Sequence, residues 1–192
     1  MSAASLSRDY FDDLYAKAPD PWSFASSGYE RAKYDATLAA LPKARYARAL
    51  EVGCSIGVLT KRLAARCDAL LATDIAEEPL KAARGRCADL PHVTFVQASA
   101  PAEWPEGRFD LILLSEVVYY LSAADVERLA ARVLGSLDEG GDLLLVHWTQ
   151  PTNYPLSGDE ASDLLLKQTC PPLRALSHER REKFRLDLAR RA

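Results

Sequence analysis

The sequence predicts an α/β fold: a Rossmann-like, doubly wound sheet of seven mainly parallel strands with helices on both faces. Three observations predict it. From residue 49 onward, short apolar strands alternate with helical stretches, the pattern of parallel strands joined by crossover helices. Phe109 to Leu114 reads as a strand buried on both faces, as central parallel strands are. A glycine-bearing turn follows the first strand and an acid ends the second, the arrangement of a nucleoside-binding crevice.

The elements follow in order. The segment up to Ala44 differs from the rest, being rich in Tyr, Asp, Ala and Pro. Ala49 to Val52 is the first strand. Gly57 to Cys67 has helical period, with Val58, Leu59, Leu63 and Ala64 on one face. Ala69 to Thr73 is the second strand and Ala76 to Cys87 the second helix. Val93 to Val96 and Phe109 to Leu114 are the third and fourth strands. Ala123 to Leu137 is a helix with Val126, Leu129, Ala130, Val133 and Leu134 on one side. Gly140-Gly141 is expected to end that helix, and Leu143 to Trp148 is the fifth strand. Ser157 to Thr169 is a helix. Leu173 to Ser177 and Phe184 to Leu188 form a hairpin, which gives an antiparallel edge strand. Right-handed crossovers then leave the doubly wound sandwich as the simplest topology.

The chain has 192 residues, 48% hydrophobic and 27% charged, which suits one domain with a sizeable core. Its net charge of -3 argues against nucleic acid or an anionic membrane as partner, because both select clustered Lys and Arg. The basic run His178 to Arg185 contains acids and reads as a solvated strand or turn. No run reaches transmembrane length, and Met1 to Asp20 is polar rather than signal-like. The cysteines Cys54, Cys67, Cys87 and Cys170 lack CxxC spacing and have no His at a zinc interval, so no metal is expected. Free thiols in a reducing cytoplasm are the expectation. Oligomeric state is left open.

In an open α/β sheet, ligands lie beyond the carboxyl ends of the strands. The first such turn reads Glu51-Val52-Gly53-Cys54-Ser55-Ile56-Gly57, where Gly53 and Gly57 remove side chains from a close backbone approach. Asp74, 21 residues after Gly53, is placed to accept hydrogen bonds from ribose hydroxyls. Two apolar or small positions then matter: Ile75 beside an adenine, and Ala98-Ser99 after the third strand. The dinucleotide fingerprint GxGxxG is replaced by GxxxG. Glu51 beside this loop would repel a pyrophosphate and suits a ligand carrying an ammonium and a sulfonium.

This turn resembles the first motif of class I S-adenosylmethionine-dependent methyltransferases, and Asp74, Ser99 and Phe109-Asp110-Leu111-Ile112 match the later motifs in order. The resemblance is closer with the nodulation protein S family of N-methyltransferases. It is carried by Tyr10-Phe11-Asp12, Asp20-Pro21-Trp22, the segments Ser27 to Tyr34 and Leu114 to Leu121, His147-Trp148, and Pro155 to Asp159. Ser55 stands where the common pattern has Gly. The resemblance implies a single domain over residues 1–192, with residues 1–44 as a helical lid on a core of 45–192. It implies that Glu51 holds the cofactor's ammonium, that Gly53, Cys54, Ser55 and Gly57 shape the loop around its methionine part, and that Asp74 binds the ribose. Ile75, Ser99 and Ala100 would line the adenine, Ser115 and Glu116 the floor, Trp22 would cover the cofactor and Arg31 pair with its carboxylate. S-adenosylhomocysteine would be the product.

An amine acceptor must shed a proton before it can attack, so a base or an ammonium-binding carboxylate is sought at the strand ends. The candidates are Glu116, Tyr119, His147 and Asp159. Trp22, Tyr119, Tyr120, Trp148 and Tyr154 could form a platform for a sugar ring, with one of the two adjacent tyrosines facing the pocket and the other the core. The resemblance implies an amino sugar acceptor, such as a deacetylated chitooligosaccharide. Alternatives are an O-methyltransferase acting on a small metabolite, an NAD(P)-dependent oxidoreductase, and a binding domain without catalysis.

Overall fold

The computed structural model describes residues 4–192, so the first three residues of the expected lid lie outside the described residues. Among those described, seven strands form one sheet. They are β1 (Tyr46–Val52), β2 (Cys67–Asp74), β3 (Val93–Gln97), β4 (Phe109–Ser115), β5 (Leu137–Trp148), β6 (Leu173–Arg180) and β7 (Phe184–Arg191). Their order is β3-β2-β1-β4-β5-β7-β6. β1 to β5 run parallel, and β7 runs antiparallel to both β5 and β6. The antiparallel strand expected at one edge is therefore second from it, with β6 outside.

Among the described residues six α-helices accompany the sheet: α1 (Arg8–Lys17), α2 (Gly28–Ala40), α3 (Val58–Leu63), α4 (Glu77–Arg86), α5 (Ala123–Ser136) and α6 (Gly158–Thr169). Four start on a serine whose hydroxyl accepts a backbone N–H of the first turn: Ser7, Ser27, Ser122 and Ser157. Ser157 and Glu160 complete a capping box.

The strand period of two divides the core between the faces. In β4, Ile112 and Leu114 pack with Val126, Leu129 and Val133 of α5 and with Ala161 and Leu165 of α6. Leu111 and Leu113 point the other way, towards Tyr34 of α2 and Leu59 and Leu63 of α3. The chain runs outward through β1, β2 and β3, then returns to place β4 on the far side of β1. That reversal opens a crevice above β1 and β4, where ligands of such sheets sit.

Two elements differ from the expectation. The helix after the first loop is α3 alone, followed by a 3-10 turn over Ala64–Arg66. Gly140-Gly141 lie inside β5 rather than ending α5. The helix stops at Ser136 without glycine, since Leu137 turns extended and pairs with Phe109. Gly140 has φ +69°, and a Cβ on Gly141 would lie 2.8 Å from the Asp138 carbonyl. The glycines thus form the irregularity where the β4–β5 register shifts.

Candidate functional site

A cavity of about 500 Å³ lies over the carboxyl ends of β1, β2 and β4, bounded by Glu51, Asp74 and Ser115. Its far wall comes from the chain before β1, with Phe11, Tyr15 and Trp22 among the residues contributed.

The first loop is tied to the end of β2. The Gly53 and Cys54 N–H groups both donate to the Thr73 carbonyl, at 2.8 and 2.9 Å. Asp74 accepts the Ser55 N–H at 2.8 Å on one oxygen and the Ala76 N–H at 3.0 Å on the other. Burial pushes the Asp74 carboxyl up to about 6, against those hydrogen bonds. Glu51, only 2% exposed, is pushed up to about 7 by burial, and Asp74's charge adds to this. One of its oxygens, Oε2, has no hydrogen-bond partner. The Ser55 hydroxyl is held at 2.7 Å by Tyr15 of α1.

The protein's own packing requires both loop glycines. Gly53 has φ +81°, and a Cβ there would meet Val117 Cγ2 at 2.2 Å. Gly57 has φ +76° and faces Ala83 of α4 at 2.9 Å, outside the cavity wall. Ile75, Ser99 and Ala100 do line the cavity, and the Ser99 N–H donates to Glu103 at 2.7 Å.

At the end of β4 the backbone turns sharply through Glu116, whose φ of +58° is strained for a residue with a side chain. The turn is over-determined. The Glu116 N–H donates to the Val146 carbonyl at 2.8 Å. Its Oε2 accepts the Tyr119 hydroxyl at 2.7 Å and the Trp148 N–H at 2.8 Å, and its Oε1 accepts Lys33 Nζ at 2.5 Å. Burial alone would raise the Glu116 carboxyl; the Lys33 ammonium and these hydrogen bonds outweigh it and hold the pKa below the usual range. Lys33 is 2% exposed and also lies 3.0 Å from Glu30. Burial would strip its proton, but the two carboxylates keep the ammonium charged.

Three residues expected at the site lie elsewhere. Arg31 is exposed and away from the cavity, because Glu30, Lys33, Tyr34 and Thr37 take the inward face of α2. The cation that reaches the cavity is Lys33, two positions on. Asp159 is drawn out by two arginines: Arg180 grips it at 2.6 and 3.0 Å, and Arg185 at 3.1 Å. His147 is fully buried behind the cavity wall. Its Nε2 accepts the Val118 N–H at 3.2 Å, which forces the proton onto Nδ1, 3.1 Å from the Ser162 hydroxyl. Burial pushes it down to about 4, so the ring is neutral and has no lone pair free for a substrate.

Tyr119 and Tyr120 both face the cavity, not one each way. Tyr154 explains this: it stacks on Tyr119 with ring centres 5.2 Å apart and meets Tyr120 edge-on at 4.7 Å. Trp22, Trp148 and Tyr154 complete the aromatic wall.

Residues 8–145 match the family described as nodulation protein S (NodS). The chain belongs to that family. It is 33% identical to nodulation protein S of Rhizobium tropici over 129 residues, covering 66% of this chain and 54% of that protein. The chain spans about half the length of the curated relatives it matches. Among solved structures, a Pseudomonas syringae protein of proposed methyltransferase activity is 41% identical, with a TM-score of 0.76 over 86% of this chain and 100% of that one. N-methyltransferase NodS from Bradyrhizobium japonicum WM9, crystallised with S-adenosylhomocysteine, superposes with a TM-score of 0.82 at 20% identity, covering 96% and 97% of the two chains. The fold is thus that of the class I methyltransferases. Sequence reading missed Glu30, Lys33, Tyr15 and Tyr29 at the cavity. The available signal was the helical period of α2, which puts residues 30, 33, 34 and 37 on one face.

Proposed function

We propose that this protein is an S-adenosylmethionine-dependent methyltransferase acting on an amine. One observation carries the cofactor reading: Glu51, buried with an unpartnered oxygen, borders the same cavity as Asp74. A buried carboxylate without a counter-ion lacks a cation. The ammonium of the cofactor supplies it, whereas the pyrophosphate of a dinucleotide would be repelled.

The other residues fit the same group. Asp74 keeps lone pairs for the ribose hydroxyls beyond its two amide bonds. Ile75 and Ala98 offer apolar surface to the adenine. Lys33, rather than Arg31, is the cation that reaches the cavity, where Glu30 and Glu116 already hold it. When bound, S-adenosylmethionine supplies a methyl group already activated on sulfur. The protein's task is then orientation and exclusion of water. Trp22 and Tyr15, from the segment before β1, serve as the lid over the bound nucleoside. Glu116, Tyr119 and Trp148 border the acceptor end, and the flat rings suit the apolar face of a sugar. An amino sugar is the acceptor class that combines such a face with an amine.

Calorimetry with S-adenosylhomocysteine and with NAD tests the cofactor. Binding of the first alone is expected, and binding of NAD alone would reverse the assignment. Labelled-methyl transfer to amino sugars, simple amines and phenols tests the reaction. Label on an amine is expected, and label confined to phenols would make the enzyme an O-methyltransferase.

A further inference from the structure

We propose that Glu30, which reaches the cavity beside Lys33, takes the proton from a cationic amine acceptor; this deepens the methyltransferase reading and rests on it. A base must have a lone pair to offer. Glu116, the obvious carboxylate, has both oxygens engaged, by Lys33 on one and by Tyr119 and the Trp148 amide on the other. Glu30 differs. It is 7% exposed and lines the cavity, and its hydrogen bond from Lys33 goes to Oε1 at 3.0 Å. Oε2 is equally near the ammonium but off the hydrogen-bonding direction; it is buried without a hydrogen bond of its own, and the Tyr34 hydroxyl lies close to the same carboxylate.

The charge balance points the same way. Two carboxylates and one ammonium are buried together, which leaves one negative charge without a partner. A protonated amine would neutralise it. Tyr29, one residue before Glu30, has a buried hydroxyl with no partner and also lines the cavity. It can bind a hydroxyl next to the amine, while its ring packs edge-on against Trp148 at 5.5 Å. Burial raises the Glu30 carboxyl above its usual value against the pull of Lys33, which makes it the stronger base of the two acids.

The step balances. The docked ammonium gives one proton to Glu30 Oε2 and becomes a neutral amine. The nitrogen lone pair then forms the bond to the methyl carbon as the carbon–sulfur bond breaks, and that electron pair stays on sulfur. The product leaves as a methylammonium, and Glu30 returns its proton to water.

The test uses the full chain with S-adenosylmethionine and four probes: glucosamine, its β-1,4 tetramer, benzylamine and catechol. In E30Q, affinity for S-adenosylhomocysteine is expected to stay within twofold while kcat on the amine falls at least a hundredfold. The rising limb of kcat/KM with pH should move up to the range where the free amine itself loses its proton, and E30D should restore part of the rate. Equal rates in wild type and E30Q would overturn the role of Glu30. Label found only on catechol would overturn the amine acceptor while leaving the methyltransferase reading intact. Failure to bind S-adenosylhomocysteine would instead refute that reading. A second measurement needs no turnover: carbon-13 NMR of the glutamate carboxyls in protein loaded with S-adenosylhomocysteine, the Glu30 signal being assigned by its loss in E30Q. Its titration should move to lower pH when an amine probe docks. A Glu30 signal indifferent to all three amines overturns the proposal whatever the activity.

Discussion

Lowering the pH below 7 should weaken cofactor binding through Glu51. The folded protein holds this carboxyl at about 7, so above that pH it is ionised and ready to pair with an ammonium. At pH 6 about one molecule in ten carries the charge, and at pH 5 about one in a hundred. Each pH unit below 7 should therefore cost about tenfold in affinity for S-adenosylhomocysteine, or about 1.4 kcal/mol. Asp74, pushed up to about 6, titrates in part of the same range, so the comparison is with E51Q, where only Asp74 remains. E51Q should bind about ten- to a hundredfold more weakly at pH 8, the loss of one charge-assisted hydrogen bond. It should also lack the slope between pH 7 and 6. Calorimetry in buffers of different ionisation enthalpy reads the proton directly: close to one should be released on binding at pH 6 in wild type. Affinity that stays flat from pH 8 to 6, or an identical slope in E51Q, would refute the argument.

Gly53→Ala should destabilise the protein by about 2–4 kcal/mol, from its positive φ and the overlap with Val117. A thermal melt lowered by roughly 4–16 °C is the expected readout. His147 is neutral when folded and protonates near pH 6.5 when unfolded, so its contribution to stability is whole above pH 6.5 and lost as pH falls towards 4. The stability gap between wild type and H147Q should shrink by about 3 kcal/mol from pH 7 to pH 4; an unchanged gap in denaturant titrations at the two pH values would contradict the buried neutral ring. Arg31→Ala should leave the affinity for S-adenosylhomocysteine within twofold, and Asp159→Asn should leave kcat within twofold while costing at most about 1 kcal/mol, since Asp159 is more than a third exposed and the buried Arg185 keeps Asp163 and Asp187 as partners. A tenfold effect of either on its activity readout would return that residue to the site.

Much of this protein was legible from period and spacing. Alternation fixes which face each strand residue takes, so Leu111 to Leu114 dividing between two helical layers follows from local sequence. The place of Glu51, Gly53 and Asp74 at strand ends follows as well, because consecutive strands of a wound sheet bring their carboxyl ends to one crevice. Which side chain near that crevice enters it was decided in three dimensions. Arg31 and Lys33 are equally plausible cations in the sequence, and only the packing of α2 against the sheet turns one inward and the other out. Asp159 and Glu116 both follow a strand, yet Arg180 and Arg185, on strands remote in sequence, claim the first. His147 ends the ligand-bearing edge of β5, but a bond from Val118 makes it a support for the turn that holds Glu116. Local patterns set the scaffold; long-range ion pairs and hydrogen bonds chose which charges are free to act.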